Sequence, residues 1–336
     1  MNRIIEFLEN PKSYEEKTDY VKRIETHISI VFLTSKFAYK MKKPVNFGFL
    51  DYTTLSKRKY FCEKEIELNR RMAEGIYLGT VYIGEENDKL FFNRGKEIEY
   101  LVKMKKIPDD TLLSYKVEKN LIKKEEIFKV GEFLGEFHLK AQSDERISEF
   151  GTPENFKVNT DENFEQTKDF EEYILTKKDF QFMKEKTEKF YEKYYDLMLK
   201  RVKEGKIKDC HGDIRLEHVT FFENKIRIID CIEFNERFRF GDILLDAVFL
   251  KMELDSVGKS ELGDEFMKGW IIKTGENFDE IRPLYYFYLS YRAFVRAKVT
   301  GFLLKDPNIK DKDKIIEKSK KLFLLSKSYI ENSFII

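Results

Sequence analysis

Hydrophobic and polar positions follow two different rhythms along this chain. In the first hundred residues the rhythm is short. Residues 27–33 are β-rich, Thr34-Ser35-Lys36 reads as a turn, and residues 37–41 read as a return strand. Thr53 or Thr54 suits the N-cap of a helix running to about Ala73, with Gly75 just past its end. Residues 81–83 and 89–92 predict strands around a turn at 84–88, and residues 99–104 predict another strand before Pro108.

Beyond Pro108 the pattern turns helical. Over 150–208, aromatic residues such as Phe164, Phe180 and Phe190 recur among Lys and Glu. That spacing fits an amphipathic face packed on the rest of the chain, or helices capping a substrate. One stretch breaks the helical rhythm. Residues 219–222 read as a strand, 223–225 as a turn and 226–229 as the returning strand. The pattern therefore predicts an α+β chain: a small β-rich N-terminal lobe with one helix (1–104) and a larger, mainly helical C-terminal lobe (105–336). The boundary falls near Met104–Pro108, where a strand runs into Pro108-Asp109-Asp110.

Composition narrows the function. The 336 residues suffice for two lobes with substantial cores. Lys+Arg number 62 and Asp+Glu 61, so a nucleic-acid binder working through bulk charge is not expected. No apolar run is long enough to span a bilayer, and no membrane partner is expected. Residues 1–10 carry acids and lack a signal-peptide pattern, and the three cysteines are an odd number. Together these predict a cytoplasmic protein with reduced thiols.

The chemistry concentrates at His211-Gly212-Asp213 and at Asp230. A hairpin over 219–229 returns the chain, which brings the second carboxylate toward the first. Phosphoryl transfer needs such a pair, one carboxylate to take the acceptor hydroxyl's proton and another to hold the metal on the phosphates. Asp230 ends an Ile-Arg-Ile-Ile strand, where a carboxylate has little structural use other than capping the next segment.

This arrangement resembles the catalytic loop and metal-binding Asp of the protein-kinase-like superfamily. It is most similar to the aminoglycoside phosphotransferase/choline kinase branch, whose loop reads His-Gly-Asp with an Asn five residues after the Asp. Here that position is His218. The resemblance continues through Phe240-Gly241-Asp242-Ile243-Leu244-Leu245-Asp246 and, upstream, through Leu134-Gly135-Glu136-Phe137-His138. Residues 230–237 and 291–299 are similar to a bacterial subfamily of uncharacterised phosphotransferase-like proteins.

The resemblance implies a protein-kinase-like two-lobed fold and a set of roles. Asp213 would be the catalytic base on the acceptor hydroxyl, and His211 would brace its loop. Asp230 would hold Mg²⁺ on the phosphates of ATP or GTP. His218 departs from the Asn, and imidazole suits softer ions, so it would bind Mn²⁺, hydrogen-bond Asp213, or do neither. Lys40 would bind phosphate, with Lys42 on the same strand face as its competitor. Glu65 would fix that lysine, with Glu63 and Glu67 as competitors. The exit strand at Met104 would present backbone to the adenine. Glu233 lies three residues past Asp230 rather than two, which leaves its role open.

Other motifs carry less. Thr34-Ser35-Lys36 is not a Gly-rich loop, which favours a small-molecule kinase over a protein kinase. Gly258-Lys259-Ser260 has Glu253 where a P-loop has its first Gly, so it is not a phosphate loop. Arg292 and Arg296 share a helix face and would meet an acidic or phosphorylated substrate, or ion-pair within the lobe. The expected function is transfer of the γ-phosphate of ATP or GTP to a hydroxyl on a small molecule. The alternatives are a catalytically weak or inactive nucleotide-binding regulatory protein of the same fold, and a protein Ser/Thr kinase.

Overall fold

The structure, a computed structural model, describes residues 1–305 and 309–335. The elements run in the order α1 (Asn2–Glu9), β1 (Lys22–Glu25), β2 (Ser29–Leu33), β3 (Phe37–Lys42), α2 (Leu55–Asn69), β4 (Tyr77–Glu86), β5 (Lys89–Phe92), β6 (Lys96–Lys105) and α3 (Leu113–Glu118). Then come α4 (Lys124–Lys140), α5 (Glu145–Glu149), α6 (Pro153–Gln166), α7 (Lys177–Lys203), β7 (Ile207–Asp209), β8 (Val219–Thr220), β9 (Arg227–Ile228), α8 (Glu236–Arg239) and β10 (Phe240–Asp242). The chain closes with α9 (Ile243–Ser256), α10 (Ser260–Thr274), α11 (Phe278–Phe302) and α12 (Lys312–Asn332).

These elements form two compact units. The first comprises Met1–Lys119 with Glu217–Arg239, and the second Asn120–Leu216 with Phe240–Ile336. Packing thus assigns residues 105–119 and the 217–239 segment to the β-rich unit.

The first unit is built on an antiparallel six-stranded sheet of order β1-β2-β3-β6-β4-β5. Strand alternation sends odd residues of β3 to one face and even residues to the other. Tyr39 and Met41 join Ile30, Phe32 and Leu101 under Ile4 and Leu8 of α1. On the opposite face Tyr100 and Val102 of β6 pack on Cys62 and Ile66 of α2. Fully burying a Phe, Met or Leu of this kind contributes about 1.5–3 kcal/mol. Lys40 and Lys42 therefore face α2, the helix that carries Glu65.

Helix α2 starts where Thr54 Oγ1 accepts the Lys57 N–H, which selects Thr54 of the two caps the sequence offers, but it ends at Asn69 rather than near Ala73. Its buried face mixes Arg58, Glu65 and Asn69 with Cys62 and Ile66, so its apolar periodicity is weak. Arg58 Nε donates to Glu99 Oε1 at 2.8 Å, which pairs both charges inside. Within residues 1–104, where the sequence predicts a single helix, the structure adds α1; α3 and α8 of this unit lie beyond Pro108, in the part that reads as helical.

The predicted hairpin is shorter than expected. Only Val219–Thr220 and Arg227–Ile228 pair as strands. Glu223 and Asn224 adopt φ of 54° and 56°, so the chain turns before Phe222 can extend the ladder.

Among the described residues the second unit is helical apart from the short pair β7–β10 and its loops. Its centre is α9, which is buried on nearly every side over Ile243–Leu254, with Asp246, Lys251 and Glu253 buried among apolar residues. Helix α4 lies close against α10: any side chain at Gly131 would collide with the Phe266 carbonyl. Gly258 lies in the turn between α9 and α10, so the Gly-Lys-Ser run does not follow a strand. Among the described residues no helix is long and apolar enough to cross a membrane.

Candidate active site

In the first unit the structure brings Lys40, Glu65, Asp230 and His218 together. Lys40 Nζ donates to Glu65 Oε1 at 2.9 Å and to Asp230 Oδ1 at 2.6 Å. Lys42 Nζ donates to the other Glu65 oxygen, Oε2, at 2.6 Å and to Glu233 Oε1. One carboxylate thus holds both lysines, one on each oxygen. Glu65 is fully buried, whereas Glu63 and Glu67 are exposed, and Glu67 pairs with Lys64.

The two lysines differ in their access to solvent. The Lys40 side chain is 13% exposed and that of Lys42 only 1%. Burial works against the charge on Lys40, but Asp230 and Glu65 outweigh it and raise its pKa well above the usual lysine value. Burial likewise opposes the Lys42 charge, and Glu233 and Glu65 raise its pKa. Burial would push Glu65 up, but Lys40 and Lys42 bring it below the ordinary glutamate value.

Asp230 stands in an unusual backbone state, with φ of 64°. Its N–H donates to the Tyr77 hydroxyl at 3.1 Å. The next N–H, that of Cys231, donates to Asn69 Oδ1 at 2.9 Å, while Asn69 Nδ2 donates to the Glu65 carbonyl at 2.8 Å. Asn69 therefore ties the Asp230 segment to the helix bearing Glu65. Glu233 Oε1 also accepts the Tyr52 hydroxyl at 2.6 Å, and Lys42 Nζ lies 5.0 Å from the centre of that ring. Asn69, Tyr77 and Tyr52 carry no signal in the sequence, because their roles exist only once helix and sheet are packed.

The Asp230 side chain is 44% exposed, and His218 Nε2 lies 3.6 Å from its Oδ2. A solvent-accessible carboxylate is the donor Mg²⁺ takes, and the imidazole beside it is a donor for softer divalent ions. The residues present therefore fit a divalent cation. Met104 sits on β6 opposite Ala38 of β3 and Tyr77 of β4.

In the second unit the structure places His211, Gly212 and Asp213 on one braced loop. Gly212 adopts φ of 90°, a conformation that favours glycine. Asp246 Oδ2 accepts the His211 N–H at 2.9 Å and its Oδ1 accepts the Gly212 N–H at 2.8 Å. The Asp213 N–H donates to His211 Nδ1 at 3.2 Å, so the buried His211 ring supports the loop from within. Burial acts to raise the Asp246 pKa, but the His138 bond and the fields of His138, His211 and Arg292 lower it overall. Asp242, the other acid of the Gly-Asp…Asp motif, caps α9 at Leu244 and takes two bonds from Arg201, at 2.8 and 2.6 Å.

His138, Cys210 and Asp246 lie within 4.8 Å of one another, a grouping that could hold a metal. Their hydrogen bonds assign them a bracing role instead. Trp270 Nε1 donates to His138 Nδ1 at 2.9 Å, which leaves His138 Nε2 to donate to Asp246 at 3.1 Å.

Comparison with known proteins places the fold. No family model matches the chain. It is 30% identical over 275 residues to uncharacterised proteins of Mycobacterium bovis and Mycobacterium tuberculosis, across 82% of its own length and 53% of theirs. The chain thus spans about half the length of the curated relatives it matches. Among solved structures, a microcompartment-associated aminopropanol kinase matches with a TM-score of 0.58 at 10% identity, covering 99% of each chain. A choline/ethanolamine kinase family protein from Mesorhizobium loti matches with a TM-score of 0.54 at 12% identity, covering 97% of this chain and 98% of that one. A variant of an aminoglycoside 2′-phosphotransferase in its GDP complex matches with a TM-score of 0.54 at 13% identity, over 94% of this chain and 93% of that one.

The fold is that of the choline kinase and aminoglycoside phosphotransferase structures. The expected α+β kinase-like architecture holds, and the fold is the one expected from the branch that the sequence resembles.

Proposed function

We propose that this chain is a phosphotransferase that moves the γ-phosphate of ATP or GTP to a hydroxyl on a small molecule. The observation that carries this reading is the chain of ion pairs from the solvent-accessible Asp230 through Lys40 to the buried Glu65. A lysine pinned by a helix glutamate, touching a solvent-accessible aspartate, is the equipment for holding polyphosphate and its metal. It stands here on a fold shared with small-molecule kinases.

Lys40 acts as the point charge on phosphate oxygens, because it is the lysine with both solvent access and contact to Asp230. Lys42 serves a different purpose, neutralising Glu65 and Glu233 inside the unit. Glu65 keeps Lys40 at a fixed height above the sheet. Asp230 would hold Mg²⁺, or Mn²⁺ with His218 beside it, and the bound ion would neutralise charge on the transferred phosphoryl group. Backbone at Met104 contacts the adenine. Asp213 orients the acceptor hydroxyl and takes its proton, on a loop kept rigid by His211 and Asp246.

The test is nucleotide turnover with Mg²⁺ or Mn²⁺ across sugars, amino alcohols and aminoglycosides, with ATP and GTP compared. Acceptor-dependent release of the nucleoside diphosphate is expected. Tight nucleotide binding without turnover on any acceptor would favour a nucleotide-binding regulatory protein instead, and transfer to protein Ser or Thr would favour a protein kinase.

A further inference from the structure

The geometry points to an anion-recognition fork made by Arg215 and Arg296, which selects an acceptor bearing a carboxylate or phosphate as well as its hydroxyl. This rests on the phosphotransferase reading above. Arg215 lies two residues after Asp213, so their Cα atoms are at most about 7 Å apart. Glu253, on α9, joins it to a second arginine. Glu253 Oε1 accepts from Arg296 Nε at 3.1 Å, and Oε2 lies 4.0 Å from Arg215 Nε. These three groups sum to one positive charge.

Arg296 has chemistry to spare. Its side chain is 14% exposed, and its one hydrogen bond among the described residues uses Nε rather than the terminal amines. Neighbouring cations on α11 are already committed. Arg292 is buried, donates from Nε to the Leu245 carbonyl at 3.1 Å and lies over the Phe249 ring at 4.7 Å. Lys298 donates to Asn163 and Gln166 at 2.6 and 2.7 Å.

A guanidinium held through Nε presents its two terminal amines as a planar fork, the shape that meets a carboxylate or phosphate with two parallel bonds. Because Glu253 orients Arg296 beforehand, little ordering is left for the ligand to impose. Arg215 carries a second positive charge to the loop of the proposed base. An acceptor anchored there by its anionic group would offer its hydroxyl from the same unit that holds Asp213.

The experiment compares matched acceptors: glycerate against glycerol, with ethanolamine as the cationic control and glycerol 3-phosphate to separate phosphate from carboxylate. Phosphorylated product is quantified by mass spectrometry, and glycerate binding by calorimetry. Wild type should favour the anionic acceptors. Arg296→Gln should lower the glycerate-to-glycerol ratio of kcat/KM by about 10- to 100-fold, mainly through KM, the size expected for a lost charge-assisted pair of bonds. Arg296→Lys should recover part of the ratio. Equal losses for both acceptors would make Arg296 a brace and overturn the inference, as would a raised KM for ATP with every acceptor. Turnover of glycerol or ethanolamine but not of the anions would also overturn it while leaving the kinase reading intact. If nothing is turned over, glycerate binding that Arg296→Gln abolishes would keep the anion site and sink the kinase reading. Absence of both binding and turnover would end the inference.

Discussion

Trp270 donates its indole N–H to Nδ1 of His138 at 2.9 Å. Indole only donates, so His138 Nδ1 must accept and its proton must sit on Nε2, aimed at Asp246. A tryptophan on α10 thereby sets the tautomer of a histidine on α4, and that histidine orients the carboxylate holding the His211 and Gly212 amides. Trp270→Phe should preserve most of the ring's packing while leaving a buried acceptor unmet. A loss of about 1–3 kcal/mol is expected, read from a urea denaturation midpoint at unchanged slope. No change in stability would show that the bond is dispensable.

The two lysines of β3 should fail differently when replaced. Lys40→Ala should weaken ATP binding or turnover strongly, because the proposed phosphate contact goes with it. Lys42→Ala should act mainly on the fold, since it leaves Glu65 and Glu233 with an uncompensated buried charge. Removing one partner of such a pair costs about 3–5 kcal/mol. Calorimetric titration with ATP and a thermal melt on both variants separate the two effects. Normal ATP binding by Lys40→Ala alongside lost binding by a folded Lys42→Ala would shift the phosphate role by one strand pleat.

Acid stability should report on Glu65. Its carboxyl lies below its ordinary value in the folded chain, so the unfolded state takes up its proton first as pH falls. The stabilisation is therefore complete above the ordinary value of 4.5 and is lost as pH drops from there through the lowered folded value. Glu65→Gln should be less stable at neutral pH and should show a shallower decline of stability over that acid window. Parallel curves for wild type and variant would mean that Glu65 does not titrate with unfolding.

How far the sequence reached depended on the kind of information each feature needs. Strand alternation and the Thr54 cap made β2, β3 and α2 legible, since both are local signals. The strand β1 was not legible, because all four of its residues are exposed and carry no alternation. Phe221 and Phe222 mimicked strand residues, and only the left-handed turn at Glu223–Asn224 cut the hairpin short. At the candidate site, the period of two put Lys40 and Lys42 on one face but could not rank them. Their ranking needed the depth of each side chain and the position of Glu233. Asn69 and Tyr77 bond backbone amides of residues about 160 and 150 positions away, a relation that packing alone creates.

His218 offers a test of metal choice. With its Nε2 lying 3.6 Å from Asp230 Oδ2, the imidazole is close enough to share an ion with that carboxylate. Mn²⁺ should then support activity better than Mg²⁺, and His218→Asn should move the preference toward Mg²⁺. Turnover rates across the two metals, at matched nucleotide saturation, measure it. An unchanged profile in the variant would remove His218 from the metal's surroundings.

Asp213 separates enzyme from binding module. Its loop is held by Asp246 through two backbone amides and by the His211 ring, so the carboxylate is supported by groups that a change at its own side chain leaves in place. Asp213→Asn is nearly isosteric and should fold, which a thermal melt would verify. If Asp213 takes the acceptor's proton, the variant should keep nucleotide affinity nearly intact while phosphoryl transfer falls by about 10²-fold or more. That split between binding and rate is the signature of a group needed only during the reaction. A nucleotide-binding module would show no transfer to lose in the wild type. Turnover by Asp213→Asn at the wild-type rate would place the proton transfer on another residue and overturn the role given to this aspartate.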